Sequence, residues 1–267
     1  MTTLIPEWKS VAKPVIGMLH LPPLPGSPRY DGDLKGIAER LLRDAEMLAD
    51  GGVHGLMMEN FGDAPFCPRR AATQVVAHMA ALAGMVRSRF DLPLGINVLR
   101  NDGRSALAVA QASGASFIRV NVLCGARITD QGIIEGIAYE LLRERTHLRA
   151  EHVKIFADAN VKHSAPLGPA RPIAHEIDDM IRRGGADALI VSGGQTGQPV
   201  DLDELRQAKA ACGAAPVLLG SGVSCDNIEQ YLEWADGFIV GTSIKQDGVS
   251  ANPVDRERVA ALMARLR

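Results

Sequence analysis

The feature that most constrains this chain is a repeated contrast between the connectors on the two sides of its short apolar runs. Terse connectors lead into the runs: Gly51-Gly52-Val53-His54-Gly55, Asp91-Leu92-Pro93, Ser113-Gly114-Ala115 and Arg183-Gly184-Gly185-Ala186-Asp187. Long polar stretches lead out of them, at 20–33, 60–70, 124–131, 160–171 and 192–201. Runs this short and this continuously apolar suit strands buried on both faces, as in a parallel sheet. Eight are predicted: Val15–Leu19, Leu56–Glu59, Leu94–Leu99, Phe117–Val122, Val153–Asp158, Ala188–Val191, Val217–Leu219 and Gly237–Val240.

Helical periodicity fills the intervals. In Leu34–Ala49 the residues Leu34, Ile37, Leu41, Ala45 and Leu48 recur at three- and four-residue spacing, with Lys35, Glu39, Arg43 and Glu46 elsewhere. Comparable patterns predict helices at Thr73–Arg89, Arg104–Ser113, Ile133–Leu148, Ile173–Arg183, Leu202–Cys212, Asn227–Trp234 and Arg256–Leu266. Eight strand–helix units predict an α/β fold, a single (β/α)8 TIM barrel over 1–267, with 1–13 as an N-terminal extension. A doubly wound open sheet is the alternative. It is expected to carry a glycine-rich turn after its first strand, where this chain has His20-Leu21-Pro22-Pro23.

Bulk properties narrow the function. The formal charge of -2, from 29 basic and 31 acidic residues, lacks the basic excess of a nucleic-acid binder. The four cysteines show no metal-finger spacing, which suits a reducing compartment. Met1 to Lys13 lacks the apolar core of a signal peptide, and the uncharged stretch Ala71 to Val86 is too short to span a bilayer. A cytoplasmic protein without a membrane span is expected.

In such barrels the chemistry sits on the loops after the strands. The seventh strand runs into Gly220-Ser221-Gly222-Val223 and the eighth into Gly241-Thr242-Ser243. Glycines there permit close approach, and exposed amides with a helix N-terminus favour an anion, so Gly220, Ser221, Gly222, Gly241, Thr242 and Ser243 are candidate phosphate ligands. Strand ends add a second set: His20, then Glu59 and Asn60, then Asn97, Arg100 and Asn101, then Arg119 and Asn121, then Lys154 and Asp158 followed by Lys162 and His163. Buried ions must be paired, and Arg119, Lys154 and Lys162 are the partners available to Glu59 and Asp158. Lys154, deepest in its strand, reads as a structural ion-pair residue.

The candidate acid/base groups are Glu59, Asp158, Lys162, His163 and His20. Asn97, Arg119, Asn121 and Thr196, the last in a Gln195-Thr196-Gly197 turn able to close over a substrate, are candidate substrate contacts. No cofactor is predicted. A divalent metal on His20, Glu59 and Asp158 stays open, without an HxH or HExxH spacing to support it.

Several segments together resemble the BtpA/SgcQ family: "GMLHLPPLPGSPRY", "GLMMENFGDAPF", "GINVLRND", "FIRVNVLCGA", "TDQGIIEG", "KIFADANVKHSAPL", "GADALIVSGGQTG", "LLGSGVS" and "ADGFIVGTSIKQDG". They span residues 17 to 248, and the unusual loops agree as well as the strands. The resemblance implies kinship with ribulose-phosphate-binding barrels and hence a phosphorylated small-molecule partner. It also implies two functional classes. One is an enzyme of carbohydrate metabolism, for which the residues above, with no nucleotide fingerprint or redox-cofactor motif among them, favour a phosphorylated sugar or nucleoside-derived substrate and lyase or isomerase chemistry, hydrolysis staying open. The other is a non-catalytic assembly or stability factor of the photosystem I biogenesis type. A homo-oligomer is compatible with either.

Overall fold

The computed structural model describes residues 4–159, 161, 163–169, 171–194 and 197–266. Its strands are β1 (Val15–His20), β2 (Gly55–Glu59), β3 (Leu94–Asn97), β4 (Phe117–Val120), β5 (Ala126–Thr129), β6 (Gly132–Glu135), β7 (Lys154–Asp158), β8 (Ser164–Pro166), β9 (Ala188–Val191), β10 (Val217–Leu219) and β11 (Gly237–Val240). Its α-helices are α1 (Leu34–Gly51), α2 (Thr73–Arg87), α3 (Gly103–Ser113), α4 (Ala138–His147), α5 (Ile173–Asp178), α6 (Leu202–Ala211) and α7 (Arg256–Ala264). Eight strands close a parallel barrel in the order β1-β2-β3-β4-β7-β9-β10-β11, with β11 back against β1. The fold is the (β/α)8 barrel expected, and every predicted barrel strand has its counterpart.

Two apolar layers hold it. Side chains such as Leu41, Leu48, Met79, Leu82, Leu107 and Ile177 pack the helices onto the barrel's outer face. Inside, Ile16, Met18, Met57, Phe117, Phe156, Ile190, Leu218 and Ile239 fill the lower barrel. Phe117 and Phe156 stack at 4.6 Å. Gly95 makes this possible, because a Cβ there would lie 2.1 Å from the Phe117 ring. Strand alternation then carries the same inward face from apolar residues at the bottom to His20, Glu59, Asn97, Arg119 and Asp158 at the top.

Of the segment 1–13, read from sequence as an extension, the described residues 4–13 contribute to this core. The turn Pro6–Trp8 places Trp8 5.8 Å from Phe117, and its indole Nε1 donates to the His54 carbonyl at 2.6 Å. Residues 4, 5 and 8 thereby close the bottom of the barrel.

His54 makes that end pH-sensitive. Its Nδ1 accepts the Val15 amide at 3.1 Å, which requires an unprotonated nitrogen, and burial holds its pKa below the ordinary value of 6.5. A base whose folded pKa is depressed stabilises the fold above its unfolded pKa and loses that contribution as pH falls through the folded one. Stability is therefore expected to decline as pH drops below about 6.5. Urea denaturation between pH 8 and 5 should show this fall, and His54→Gln should flatten it. An unchanged slope in that variant would contradict the assignment.

The structure departs from the periodicity in three places. The helix predicted at Ile133–Leu148 begins only at Ala138, because Gly132–Glu135 pairs instead with Ala126–Thr129 in an antiparallel hairpin. With β8 on its other side, β5 completes a three-stranded sheet above the barrel, sealed below by Ile134 against Val122 and Val161. The predicted helix at Asn227–Trp234 is reduced to a 3-10 turn, Ile228–Tyr231. The predicted helix Ile173–Arg183 changes to π geometry after Asp178. Among the described residues, no helix is long and apolar enough to cross a membrane.

Candidate functional site

At the C-terminal ends of the barrel strands lies a cavity of about 570 Å³. Its floor is an ionic network that strand alternation imposes. Arg119 on β4 and Asp158 on β7 stand on neighbouring strands and form a two-pronged pair, Nη2 to Oδ1 at 2.8 Å and Nε to Oδ2 at 3.2 Å. Asn121 Nδ2 adds a 2.5 Å bond to the same Oδ2, and Ser192 Oγ lies 3.5 Å from Arg119 Nη2. Burial alone would lower the Arg119 pKa. The fields of Asp158 and Glu59 together outweigh it and hold the guanidinium above its usual value.

Beside this network Glu59, 8 % exposed, accepts from Asn97 Nδ2 at 2.5 Å across the β2–β3 pairing. Its Oε1 is 4.0 Å from His20 Nε2. His20 is fixed on two sides: its ring stacks on Phe61 at 4.5 Å, and Nδ1 meets the Ser250 carbonyl at 3.0 Å. A carbonyl only accepts, so Nδ1 carries the proton and Nε2 is the nitrogen turned toward Glu59.

The opposite wall is made of main chain. Gly222 has φ 66, and a Cβ there would fall 2.0 Å from the Gln198 carbonyl oxygen, so only glycine fits. Asn227 locks this loop, donating to the Gly222 carbonyl at 2.7 Å and accepting the Ser224 amide at 2.8 Å. Loop contacts engage the hydroxyls that the sequence offers as anion donors. Ser243 Oγ donates to the Val223 carbonyl, Thr242 Oγ1 pairs with Ser250 Oγ, and Ser221 Oγ accepts the Gly193 amide. The amides are different: among the described residues, those of Gly222, Val223, Thr242 and Ser243 donate to no protein group. A Cβ at Gly220 would fall 2.3 Å from Ile190 Cγ2 and 2.8 Å from Ser192 Oγ, and one at Gly241 would fall 3.1 Å from His20 Cε1.

Of the other sequence-derived candidates, His163 is exposed at the cavity rim. Lys162 and Thr196 lie outside the described residues. Lys154 points to the barrel's other end and pairs with Asp187 at 3.1 Å, the structural role expected of it. Cys124 is half-buried, and burial pushes its thiol up from the ordinary value, away from nucleophilic use. Among the described residues no group of three His, Cys, Asp or Glu side chains is placed to hold a metal ion. Sequence reasoning missed Arg29, Phe61 and Ser250, which sit in loops where no periodicity marks direction.

Residues 11–267 match the model of the BtpA family. This chain belongs to the BtpA family. It is 50% identical to an uncharacterized protein of Thermococcus kodakarensis over 94% of both chains. It is 47% identical to the photosystem I biogenesis protein BtpA of Synechocystis, over 94% of this chain and 86% of that one. Among solved structures, orotidine 5'-phosphate decarboxylase from Pyrococcus horikoshii is similar with a TM-score of 0.59, at 13% identity and covering 95% of this chain and 99% of that one. KGPDC from Streptococcus mutans is similar with a TM-score of 0.57, at 15% identity, over 96% and 97%. At such identities these likenesses establish the barrel for this BtpA-family member, while its chemistry must be argued from its own site.

Proposed function

We propose that this BtpA-family chain is an enzyme acting on a phosphorylated sugar or nucleoside-derived metabolite, with acid/base chemistry of the lyase or isomerase type. One observation carries the reading: residues of two loops, those after β10 and β11, line the same cavity as Glu59 and His20, and among the described residues the amides of Gly222, Val223, Thr242 and Ser243 have no protein acceptor. Such amides favour an anion and act most strongly where water is scarce. The named activities of the structural neighbours, on phosphate-bearing substrates, agree with it.

In this reading the phosphate sits on Gly220–Val223 and Gly241–Ser243, and the remainder of the substrate extends toward Glu59. Asn97 fixes the Glu59 carboxylate, which transfers the proton, while His20 Nε2 serves the neighbouring oxygen. Both Asp158 oxygens already accept hydrogen bonds, so this group fits holding Arg119 and Asn121 toward substrate hydroxyls better than proton transfer. Lys162 and His163, from the loop after β7, would stabilise developing negative charge.

The test is thermal unfolding with inorganic phosphate and phosphorylated pentoses and hexoses. Ligand at a hundred times its dissociation constant adds about 2.7 kcal/mol. Gly222→Val should abolish that gain, and Glu59→Gln should keep it while losing turnover. No gain from any phosphate would end the reading. The name of the Synechocystis relative suggests the other class, an assembly factor, and exposed Ile128, Ile133 and Leu167 on and beside the small sheet offer it a surface. That class requires Glu59→Gln to leave function intact while changes at those three residues abolish it.

A further inference from the structure

Asn121 directly follows β4, two residues beyond Arg119 and therefore on the same inward face. It lines the cavity and is 5 % exposed. The direction of its amide is dictated by Asp158. A carboxylate only accepts, so Asn121 turns Nδ2 to Asp158 Oδ2, at 2.5 Å, and its own Oδ1 points elsewhere. That oxygen is buried and has no hydrogen-bond partner. Native proteins keep few such acceptors, because an unmet one has given up water for nothing.

Arg119 is the complement. Its Nε and Nη2 are engaged with Asp158, and Nη2 also lies 3.5 Å from Ser192 Oγ. Among the described residues, Nη1 donates to no protein group, and Arg119 lines the same cavity. Arg119 Nε and Asn121 Nδ2 share Asp158 Oδ2, at 3.2 and 2.5 Å, so the two side chains address neighbouring atoms of one ligand. A Cβ built on Gly220 would lie 3.4 Å from Arg119 Nη2, which sets this pair beside the loop after β10. The two free atoms have opposite demands. Oδ1 of an asparagine only accepts, and a guanidinium only donates.

We propose that Asn121 and Arg119 select the substrate by polarity: a hydroxyl donates to Asn121 Oδ1, and a neighbouring oxygen, hydroxyl or carbonyl, accepts from Arg119 Nη1. The substrate is then a phosphate monoester bearing a vicinal diol or an α-hydroxycarbonyl. The assignment rests on the phosphate reading above and narrows its substrate class. A carbonyl or ether oxygen facing Asn121 sets acceptor against acceptor, and a deoxy carbon leaves the amide oxygen unmet. Sites built around a substrate hydroxyl reject analogues that lack it more strongly than apolar pockets reject a methylene. Asn121 also lines a smaller cavity of about 180 Å³, with Arg127 of β5 and Pro166 of β8, where a water would be the competing donor.

Calorimetric titration of the full chain with inorganic phosphate and two matched pairs of esters tests it: propyl phosphate against glycerol 3-phosphate, and pentyl phosphate against ribitol 5-phosphate. Within each pair chain length and charge are the same and only the hydroxyls differ. In at least one pair the hydroxylated member should bind at least about tenfold more tightly. Asn121→Leu should level that pair while inorganic phosphate still binds. A second readout needs no variant: with isotope-labelled asparagine in the unaltered protein, the Asn121 side-chain amide signal should move with the hydroxylated ester and stay in place with its alkyl counterpart. Equal binding within both pairs overturns the inference and leaves Asn121 Oδ1 to a water. A preference that comes with an unmoved Asn121 signal, or that survives in Asn121→Leu, overturns it as well. If neither inorganic phosphate nor any ester binds, the underlying phosphate reading has failed and this inference goes with it.

Discussion

Replacing Asp158 by alanine is expected to destabilise the protein by about 3–5 kcal/mol, the usual cost of leaving one member of a buried ion pair alone. Asp158 Oδ1 and Oδ2 accept three hydrogen bonds from Arg119 and Asn121. Its side chain is 0 % exposed and that of Arg119 is 6 % exposed. Removing the carboxylate strands a guanidinium that cannot escape by losing its proton. For a domain of this size the loss corresponds to a fall in melting temperature of roughly 10 °C. Asp158→Asn should also be costly, since an amide NH2 would face donors already in place. The double variant Asp158→Ala/Arg119→Met should recover part of the loss, because it removes the charge as well as its partner. Urea titrations of the four proteins check this, and additivity of the two single effects would show that the pair is not coupled.

The second large effect is expected at a pair outside the cavity. Lys245 is fully buried, with Nζ 3.3 Å from Asp44 Oδ2, while Asp44 Oδ1 accepts the Val254 amide at 2.8 Å. Burial lowers the Lys245 pKa, and Asp44 opposes that shift. Asp44 thus ties both ends of the segment 245–254 to α1, and this segment carries the Ser250 carbonyl that holds His20. Asp44→Ala should cost about 3 kcal/mol or more at neutral pH. The cost should shrink as pH rises and the stranded lysine gives up its charge. It should also weaken phosphate-ligand binding at temperatures where the variant is fully folded, since His20 loses its anchor. A variant equally unstable at pH 7 and pH 10 would show that the lost packing, and not the lost charge, matters.

Much of this was legible in the chain itself. Short apolar runs with long polar sequels located all eight barrel strands, because strands buried on both faces tolerate little else. His20, Glu59, Asn97, Arg119 and Asp158 were legible as polar groups at strand ends, and in the structure strand alternation turns all five inward. The hairpin was hidden because Ile133, Ile134 and Ile137 satisfy helical spacing as well as strand pairing. Its visible signal was Asp130-Gln131-Gly132, where Gly132 takes a left-handed φ of 95 beside a two-residue turn. Arg29, Phe61 and Ser250 were illegible for a different reason. Their directions are set by loop-to-loop contacts, such as Asp63 Oδ1 accepting the Leu24 amide at 2.7 Å, that no local pattern encodes. The glycines after β10 and β11 marked the proposed cradle in sequence, but contacts of neighbouring loops engage the hydroxyls of Ser221, Thr242 and Ser243, so the proposed donors are main-chain amides.

The most direct test of the central claim is an amide NMR titration of the isotope-labelled protein with inorganic phosphate. Saturable shifts concentrated at the amides of Gly222, Val223, Thr242 and Ser243 are the predicted result. Shifts confined to surface arginines such as Arg69 and Arg70, or none at all, would contradict a phosphate site at this end of the barrel.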